Sequence, residues 1–405
     1  MKPEVQITLT DRKNIIIIED RSRMGGVQYS TFYLAEEIIK QKLHKLKILI
    51  PFKGPFSNLC KKHNIPYNIY NPVSYISTSI SFNNDKIRIP NPFSLLLNIF
   101  LILINSLKTK AIINSQKPDI VITKGFLTHI SGGLACKMLK IPIVWHLQDL
   151  VSNRYFGLYV SFFNFLANTI PNCIICDGQL IKDSLKGEIR KRSFVVLNGI
   201  KSVELQRCPN ARKYTRAELG IPDNAYVIGH VARIKPWKGQ AHLLKAFIDY
   251  SKYNLNSYLI LAGSPLFGKD KYYKYLKNII RKSNLDSRVI MTGYRPDLKN
   301  IFSAMDIFIY PSVEKDTSPL VLLSAISAGL PIAMTQINSL EDIASHCPSI
   351  DLFNIADKDY LIKLIKKYEN PTLRTNKGYK NKNYADKYFD ISIHTENIAK
   401  VLKTI

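Results

Sequence analysis

The chain has 405 residues, of which 46% are hydrophobic and 22% charged, and its formal net charge at pH 7 is +26. A chain of this length is too long for a single hydrophobic core, so we predict two domains. The composition excludes disordered, collagenous and low-complexity proteins. The excess of positive charge favours an anionic partner: nucleic acid, an anionic membrane surface or a phosphorylated substrate. Because the basic residues are dispersed and match no nucleic-acid-binding signature, we predict no nucleic-acid partner.

Apolar runs of β-type composition alternate with helical patterns along the chain, which is typical of parallel, doubly wound sheets. The predicted strands comprise residues 14–20, 45–52, 65–70, 119–124, 141–147, 172–177, 193–197, 226–232, 257–262, 288–292, 306–310 and 331–335. The predicted helices comprise residues 27–41, 56–63, 127–139, 240–253, 271–283, 298–305 and 319–328, together with a long apolar helix at 93–107.

The strongest apolar run is that of residues 93–107, which is interrupted by Asn98 and Asn105. A helix that spans a bilayer needs about 20 apolar residues. The run therefore predicts a buried or membrane-facing helix rather than a transmembrane one. The first 13 residues are polar and charged, so no signal peptide is predicted.

Two short patterns could indicate a metal or redox site. Cys173 and Cys176 form a C-x-x-C pair inside an apolar run, with no second pair and no nearby histidine, so a buried strand is favoured over a zinc or redox site. Asp357 and Asp359 form a D-x-D that precedes an apolar helix, and we interpret it as a helix N-cap. No metal site is predicted. Six scattered cysteines suit a reducing compartment.

The polar stretch 201–223 contains Pro209 and Pro222 and lacks apolar periodicity, so we interpret it as a linker. The α/β pattern restarts after it at residue 226. Two α/β domains joined in this way are expected to face each other across a cleft. Ligands of open parallel sheets bind beyond the carboxyl ends of the strands, so that cleft is the predicted site.

The segment 231–240 places two cations at a strand–loop–helix junction. Arg233 follows the end of a strand, and Lys238 with Gly239 stands directly before the next helix. Fixed cations at such a junction can stabilise the charge that develops on a diphosphate leaving group. The alternative is a solvated basic loop.

The segment 316–331 predicts a buried helix with an open N-terminus. Ser318 is a good N-cap, Pro319 suits the first helical position, and no residue of 320–328 is charged. The amide groups at such a helix start can bind an anion such as pyrophosphate. An ordinary core helix is the alternative.

Two weaker signals lie in the first half of the chain. Gly25 and Gly26 open the first helix and would let a phosphate or sugar approach the backbone, although a plain turn explains them equally well. They lack the full G-x-G-x-x-G pattern, which disfavours a nicotinamide site. His146 lies at the end of an apolar strand. It could be a catalyst or a hydrogen-bonded structural residue.

Taken in this order, these segments resemble the family 4 (group 1) retaining glycosyltransferases of the GT-B fold. The resemblance covers most of the chain and is strongest from residue 226 to residue 341. It is carried by Gly25-Gly26, Asn198-Gly199-Ile200, Arg233 with Lys238-Gly239, Gly293-Tyr294-Arg295, and residues 306–312 before Asp316. It implies an acceptor-side domain at 1–203, a nucleotide-sugar-binding domain at 214–388, and a segment 391–405 that packs back on the first domain.

The resemblance also implies residue roles. His146 is similar in position to a histidine near the transferring sugar, Arg233 and Lys238 to residues that hold the donor diphosphate, and Gly293-Tyr294-Arg295 to the loop that receives the base. The family's E-x7-E pair falls on Asp316 and Ser324. Catalytic roles are thus implied for His146, Arg233, Lys238 and Asp316, and donor binding for Gly25, Gly26, Gly293, Tyr294, Ser318, Leu320, Val321 and Ser324.

Ser324 departs from the family pattern, because a hydroxyl cannot accept two ribose hydroxyls as a carboxylate does. Asp316 keeps a carboxylate on a shorter side chain. The departure bears on donor affinity and nucleotide identity more than on the type of reaction.

The resulting prediction is a metal-independent hexosyltransferase that retains anomeric configuration and needs no cofactor. Its donor is a nucleoside diphosphate sugar, its acceptor a sugar or lipid-linked sugar, and its setting the synthesis of surface polysaccharide or glycolipid. A catalytically silent paralogue that scaffolds a partner transferase and a sugar-nucleotide epimerase are the alternatives. The predicted location is cytoplasmic, with a peripheral position on an anionic inner membrane face left open.

Overall fold

The computed structural model describes residues 12–77, 79–82, 87–151, 157–265, 271–314 and 316–405. Residues 1–11, on which most of the signal-peptide prediction rests, lie outside the described residues. The chain divides into two compact units, which are Met1–Val196 with Thr395–Ile405, and Leu197–His394. We refer to them as unit 1 and unit 2.

Unit 1 is built on a parallel seven-stranded sheet with the strand order β3-β2-β1-β6-β7-β8-β9. Its strands are rich in isoleucine and valine and are covered on both faces, so the central strands are almost fully buried. The strands are β1 Asn14–Ile18, β2 Lys45–Ile50, β3 Tyr67–Ile69, β6 Ile120–Lys124, β7 Ile143–Leu147, β8 Cys173–Cys176 and β9 Ser193–Val195, with β4 Ser79–Phe82 and β5 Ile87–Pro90 in a separate antiparallel pair. The helices are α1 Gly26–Lys40, α2 Pro55–Lys62, α3 Pro92–Gln116, α4 Phe126–Leu139, α5 Leu158–Thr169 and α6 Gln179–Asp183.

Unit 2 repeats the architecture with a parallel six-stranded sheet of order β12-β11-β10-β13-β14-β15. Large buried side chains such as Phe247 and Phe308 fill the two sides of this sheet. The strands are β10 Tyr226–Val231, β11 Ser257–Ala262, β12 Val289–Gly293, β13 Ile307–Tyr310, β14 Ile332–Thr335 and β15 Asp351–Phe353. The helices are α7 Pro209–Glu218, α8 Gln240–Tyr250, α9 Lys271–Lys282, α10 Leu298–Ala304, α11 Leu320–Ser327, α12 Glu341–His346, α13 Lys358–Lys367 and α14 Pro371–Tyr388.

Each sheet reverses its strand order once, between β1 and β6 in unit 1 and between β10 and β13 in unit 2. In open parallel sheets, the crevice outside the carboxyl ends of the strands at such a reversal is the usual ligand site. The two reversals therefore predict ligand sites at the carboxyl ends of β1 and β6 and at those of β10 and β13.

The stretch 201–223, predicted to be a linker, is instead ordered structure of unit 2. It contains a 3-10 helix at Ser202–Leu205 and the helix α7. Its anchor is Arg216, which is fully buried, donates to the carbonyl groups of Ala304 and Ala225, and pairs with Asp306 at 2.8 Å. This stretch is therefore held in unit 2 by a buried guanidinium group. It lacks the periodic apolar residues from which a helix would have been predicted.

The last helix, α15 (Ile391–Lys403), begins in unit 2 and ends in unit 1. Its C-terminal half contributes Ile398, Val401 and Leu402 to the core beside β1 and β2. Lys13 also donates a hydrogen bond of 2.8 Å to the carbonyl of Leu402. These contacts hold the end of the chain on the first sheet.

Candidate functional site

The loop after β10 is held against the end of β13 by a close backbone contact. Gly239 has a φ of 74°, and a Cβ atom there would lie 1.7 Å from the carbonyl oxygen of Pro311. Only glycine fits this approach. The contact brings Lys238, in the short 3-10 helix Pro236–Lys238, beside the residues that follow β13.

Lys238 is buried, so it does not belong to the solvated basic loop that the sequence left as an alternative. Its ammonium group forms an ion pair with Asp316, donates to Tyr310 Oη at 2.9 Å and lies 4.1 Å from the centre of the Trp237 ring. Tyr310 also donates to Asp316. Burial lowers the pKa of Lys238, and the carboxylate of Asp316 acts against this effect. Two predicted site residues, Lys238 and Asp316, therefore lie in direct contact.

Arg233 is the exposed member of the pair of cations. Its guanidinium carbon lies 5.9 Å from the centre of the Trp237 ring, on whose face Lys238 also rests. The Arg233 carbonyl accepts a hydrogen bond from Gln240 at 2.8 Å, which ties the end of β10 to the start of α8. One indole ring thus joins a buried and an exposed cation at the carboxyl end of β10.

The start of α11 differs from the prediction. The helix begins at Leu320 with Pro319 as the preceding residue, so Ser318 is not its N-cap. Ser318 has a φ of 44°, its hydroxyl accepts from the backbone N–H of Asn198 at 2.8 Å, and its carbonyl accepts from the Asn198 side chain at 3.0 Å. The hydroxyl thus bonds a distant segment, and no side chain of the described residues caps the start of α11.

The remaining donor-binding candidates of unit 2 lie on α11 and after β12. Ser324 is 5% exposed on α11, and Leu320 and Val321 are half-buried at its first turn. Gly293 ends β12 with a φ of 74°, and the exposed Tyr294 follows it. Gly293 and Tyr294 lie at the carboxyl end of β12, and α11 is the helix that follows β13 along the chain.

In unit 1, Gly25 and Gly26 open α1 with no left-handed backbone that would require glycine. A Cβ atom on Gly26 would meet nothing within 4 Å, so open space borders the backbone there. His146 on β7 is 1% exposed, and its Nε2 donates to Asp177 at 2.6 Å. Its contact with a sugar therefore stays a prediction.

Sequence reasoning missed three titratable residues beside His146. Glu19, Lys124 and Asp177 are buried at the carboxyl ends of β1, β6 and β8. A signal was present, because each is a charged residue at or directly after the end of an apolar strand. The same signal had singled out His146.

Among the residues that the structure describes, no group of three or more histidine, cysteine or acidic side chains could hold a metal ion. Cys173 and Cys176 are the two ends of the buried strand β8, as predicted, and burial raises the pKa of Cys173 to about 12. Asp357 caps α13 by accepting from the N–H of Tyr360 at 2.8 Å, also as predicted.

Comparison of amino-acid sequences identifies the part of the chain that contains the buried Lys238–Asp316 pair. Residues 211–384 match the family of glycosyl transferases group 1. We refer to this matched segment as the group 1 domain. Every predicted site residue of unit 2 falls within this domain, whereas Gly25, Gly26 and His146 lie outside it.

Two curated relatives extend the similarity beyond the group 1 domain. The Escherichia coli UDP-Gal:alpha-D-GlcNAc-diphosphoundecaprenol alpha-1,3-galactosyltransferase is 26% identical over 238 residues, which is 56% of this chain. The Streptococcus pneumoniae alpha-monoglucosyldiacylglycerol synthase is 26% identical over 244 residues, again 56% of this chain. The matched part spans 60% and 53% of the lengths of these two relatives.

Solved structures match nearly the whole chain. Anabaena HepE in complex with UDP and glucose has a TM-score of 0.80 and 21% identity, over 97% of this chain and 100% of HepE. WaaG, a glycosyltransferase involved in lipopolysaccharide biosynthesis, has a TM-score of 0.67 and 16% identity, over 96% and 99%. These likenesses and the two parallel sheets confirm the predicted GT-B fold with two Rossmann-like domains, one of which contains the group 1 domain.

Proposed function

We propose that the protein transfers a hexosyl group from a nucleoside diphosphate sugar to an acceptor hydroxyl, with retention of anomeric configuration. The observation that carries the proposal is the buried Lys238 ammonium, ion-paired with Asp316 and lying beside Arg233 inside a group 1 glycosyl transferase domain. A buried cation is costly unless anions offset it. A donor diphosphate would offer the same kind of compensation as Asp316.

The proposed chemistry needs little from the side chains beyond charge stabilisation. As the bond between the sugar and the diphosphate breaks, negative charge builds on the leaving oxygen, and Arg233, Lys238 and the amide groups that open α11 would stabilise it. That oxygen would accept the proton of the attacking hydroxyl on the same face. Asp316 would then be free to hold hydroxyl groups of the sugar.

Uridine nucleotides are the first donors to test, because HepE binds UDP and glucose in its crystal structure. A lipid-linked sugar is the first acceptor class to test, since the name of the E. coli relative specifies a sugar diphosphoundecaprenol. Both are proposals for this chain.

The test is a panel of nucleoside diphosphate sugars incubated with the protein in EDTA, with and without simple glycoside and lipid-linked acceptors. We expect stabilisation against heat by one nucleotide family and release of the diphosphate, with product of the same anomeric configuration as the donor by NMR. Inverted product, or activity only after metal is restored, would contradict the proposal. Stabilisation with no turnover under any condition would favour the silent scaffold, which Ser324 in place of a glutamate motivates. Interconversion of the sugar nucleotide itself would favour an epimerase.

The Ser324→Glu substitution tests whether α11 faces a ribose. Ser324 is 5% exposed, so a carboxylate there lacks water and should lower the melting temperature of the free protein. A nucleotide that donates its ribose hydroxyls should reverse this loss and bind about tenfold more tightly, since hydrogen bonds to charged groups contribute about 1.5–3 kcal/mol.

Calorimetry and thermal melting with UDP decide this prediction, with Ser327→Glu as the matched control. Ser327 lies on the same helix but is fully buried among core residues, so its variant should be destabilised with no rescue by nucleotide. Unchanged UDP affinity in a folded Ser324→Glu protein would show that Ser324 lies away from the donor.

We propose further that unit 1 docks on an anionic membrane through α3 and α5. The helix α3 turns its polar side inward. Asn98 and Asn105 each bond both backbone groups of a residue in the preceding segment, Ile76 and Val73, at 2.7–2.9 Å. Its large apolar side chains face outward instead: Phe93, Leu95, Leu96, Ile99, Phe100, Leu103 and Leu107 are all more than half exposed.

Charge supports a lipid surface as the occupant of this apolar face. The helices α3, α4 and α5 contain no acidic residue and carry Lys108, Lys110 and Lys137. On α5, Leu158, Phe162 and Phe165 are also more than half exposed. Among the described residues, α3 is the one helix long and apolar enough to cross a membrane, yet its inward hydrogen bonds favour a position packed on unit 1. A second copy is a weaker candidate, because two chains of net charge +26 repel.

We expect the protein to co-sediment with phosphatidylglycerol vesicles at low salt, much less at high salt, and not with phosphatidylcholine alone. Each lysine near an anionic surface contributes about 1 kcal/mol. Replacing both Leu96 and Phe100 by Asp should reduce binding at least about tenfold, because each buried apolar side chain contributes about 1.5–3 kcal/mol. The control places Asp at Tyr253 and Leu255, which are equally exposed but lie in unit 2. Equal recovery with both lipids, binding by neither, or a dimer that buries this face would refute membrane docking.

A further inference from the structure

Four titratable side chains form a row on one face of the unit 1 sheet, which we call the buried row: Glu19, Lys124, His146 and Asp177. Ile18 pairs with Thr123, so Glu19 and Lys124 follow side by side, and Lys124 pairs with His146. Asp177 completes the row through its 2.6 Å hydrogen bond with His146. None of the four is more than 1% exposed.

The two carboxylates of the buried row are firmly hydrogen-bonded. Glu19 accepts from Thr31 and, at 2.9 Å, from Gln28, both on α1. Asp177 accepts from His146 and, at 2.9 Å, from Gln148. Burial raises the pKa of Glu19, while Lys124 and the hydrogen bonds from Thr31 and Gln28 act against this effect. At Asp177 burial is overcome by His146, Lys124 and Gln148, so the pKa is lowered. Negative charge on these buried carboxyl groups needs a positive charge close by.

Lys124 stands between the two carboxylates. No described side chain or backbone group accepts a hydrogen bond from its ammonium group, and His146 Nδ1 likewise has no hydrogen-bond partner among the described residues. The influence of Lys124 is therefore electrostatic. Burial lowers the pKa of Lys124, and the carboxylates of Glu19 and Asp177 act against this effect. Burial lowers the pKa of His146, and the charge of Lys124 lowers it further, while Asp177 raises it. His129 on α4 also lies close to His146. Burial lowers the pKa of His129 to about 3, so this ring adds no charge.

We propose that Lys124 is a positioning residue: its buried charge balances Glu19 and Asp177 and holds His146 as a neutral imidazole that donates from Nε2. The row also connects two regions that the proposed function uses. Glu19 anchors the first turns of α1, which start at the Gly25–Gly26 pair, and Asp177 anchors His146 and Gln148. The effect on turnover rests on the proposed function, but the state of His146 does not.

The closing experiment follows His146 by NMR of 15N-histidine-labelled protein, assigned with His146→Asn, in wild type and Lys124→Met. In wild type we expect a neutral ring, protonated at Nε2, that does not titrate between about pH 5.5 and 8.5. In Lys124→Met the repelling charge is gone and Asp177 remains, so His146 should gain a proton and titrate inside that range. Lys45→Met, which removes the same charge from an exposed position on β2, is the control and should leave His146 unchanged.

A double variant, Lys124→Met with Glu19→Gln, removes one charge of each sign and covers the case in which the single variant does not fold. It should recover stability, yet His146 should still titrate. If transfer activity is present, turnover of Lys124→Met should fall about tenfold per pH unit below the new pKa and recover above it. A charged His146 in wild type at pH 7, or a non-titrating His146 in the folded variants, would overturn the proposal. Absence of transfer in every protein would count against the proposed function alone.

Discussion

Replacing Lys238 by Met is expected to reduce transfer by at least about 10²-fold and to lower the free energy of unfolding by about 2 kcal/mol. The first effect follows because the interaction of Lys238 with the leaving diphosphate strengthens as charge develops. The second follows because Asp316, which is half-buried beside Tyr310, would remain there with its cation removed. Turnover with the donor that the nucleotide-sugar panel selects measures the first effect, and chemical denaturation measures the second.

The double variant Lys238→Met with Asp316→Asn separates them. An amide keeps a hydrogen-bond acceptor for Tyr310 and removes the uncompensated charge, so stability should largely return while transfer stays low. Wild-type turnover in the single variant would remove Lys238 from the site. Unchanged stability would contradict the buried ion pair.

Arg233→Ala is expected to lower turnover by about 10²-fold with no change in melting temperature. Arg233 is exposed, and the hydrogen bond that ties its residue to Gln240 uses the backbone carbonyl, which alanine retains. The lost contribution is therefore the guanidinium charge near the leaving group.

Lys245→Ala is the matched control for Arg233→Ala, because Lys245 is exposed on α8 in the same unit. It removes the same net charge at a place away from the carboxyl ends of the strands. Equal losses in the two variants would indicate a general effect of charge, and wild-type turnover in Arg233→Ala would exclude Arg233 from the site.

The sheets were predictable because parallel strands that are buried on both faces have continuous apolar sequences. Residues Ile15–Ile18 of β1 are an example. Short edge elements such as β15 carry too few residues for such a signal. The helix α5 was missed because its sequence, LYVSFFNFLANT, has little polar periodicity, and three of its large apolar residues are exposed rather than packed.

The candidate site was predictable in residue type and order but not in environment. The pattern around Lys238 located it at a strand–helix junction, but the contact of Gly239 with Pro311 that buries it joins residues about 70 positions apart. Ser318 looked like a helix cap because local sequence does not reveal that Asn198 competes for its hydroxyl. Non-local partners decided both outcomes.

The crossing of α15 from unit 2 into unit 1 has a consequence for biosynthesis. The side chains of Ile398, Val401 and Leu402 belong to the core beside β1, yet they are translated after all of unit 2. During translation, we therefore expect part of the apolar surface of the unit 1 sheet to stay uncovered until α15 has been synthesised. All strands of unit 2 are synthesised before that point. The N-terminal half of this polypeptide is synthesised first and completed last.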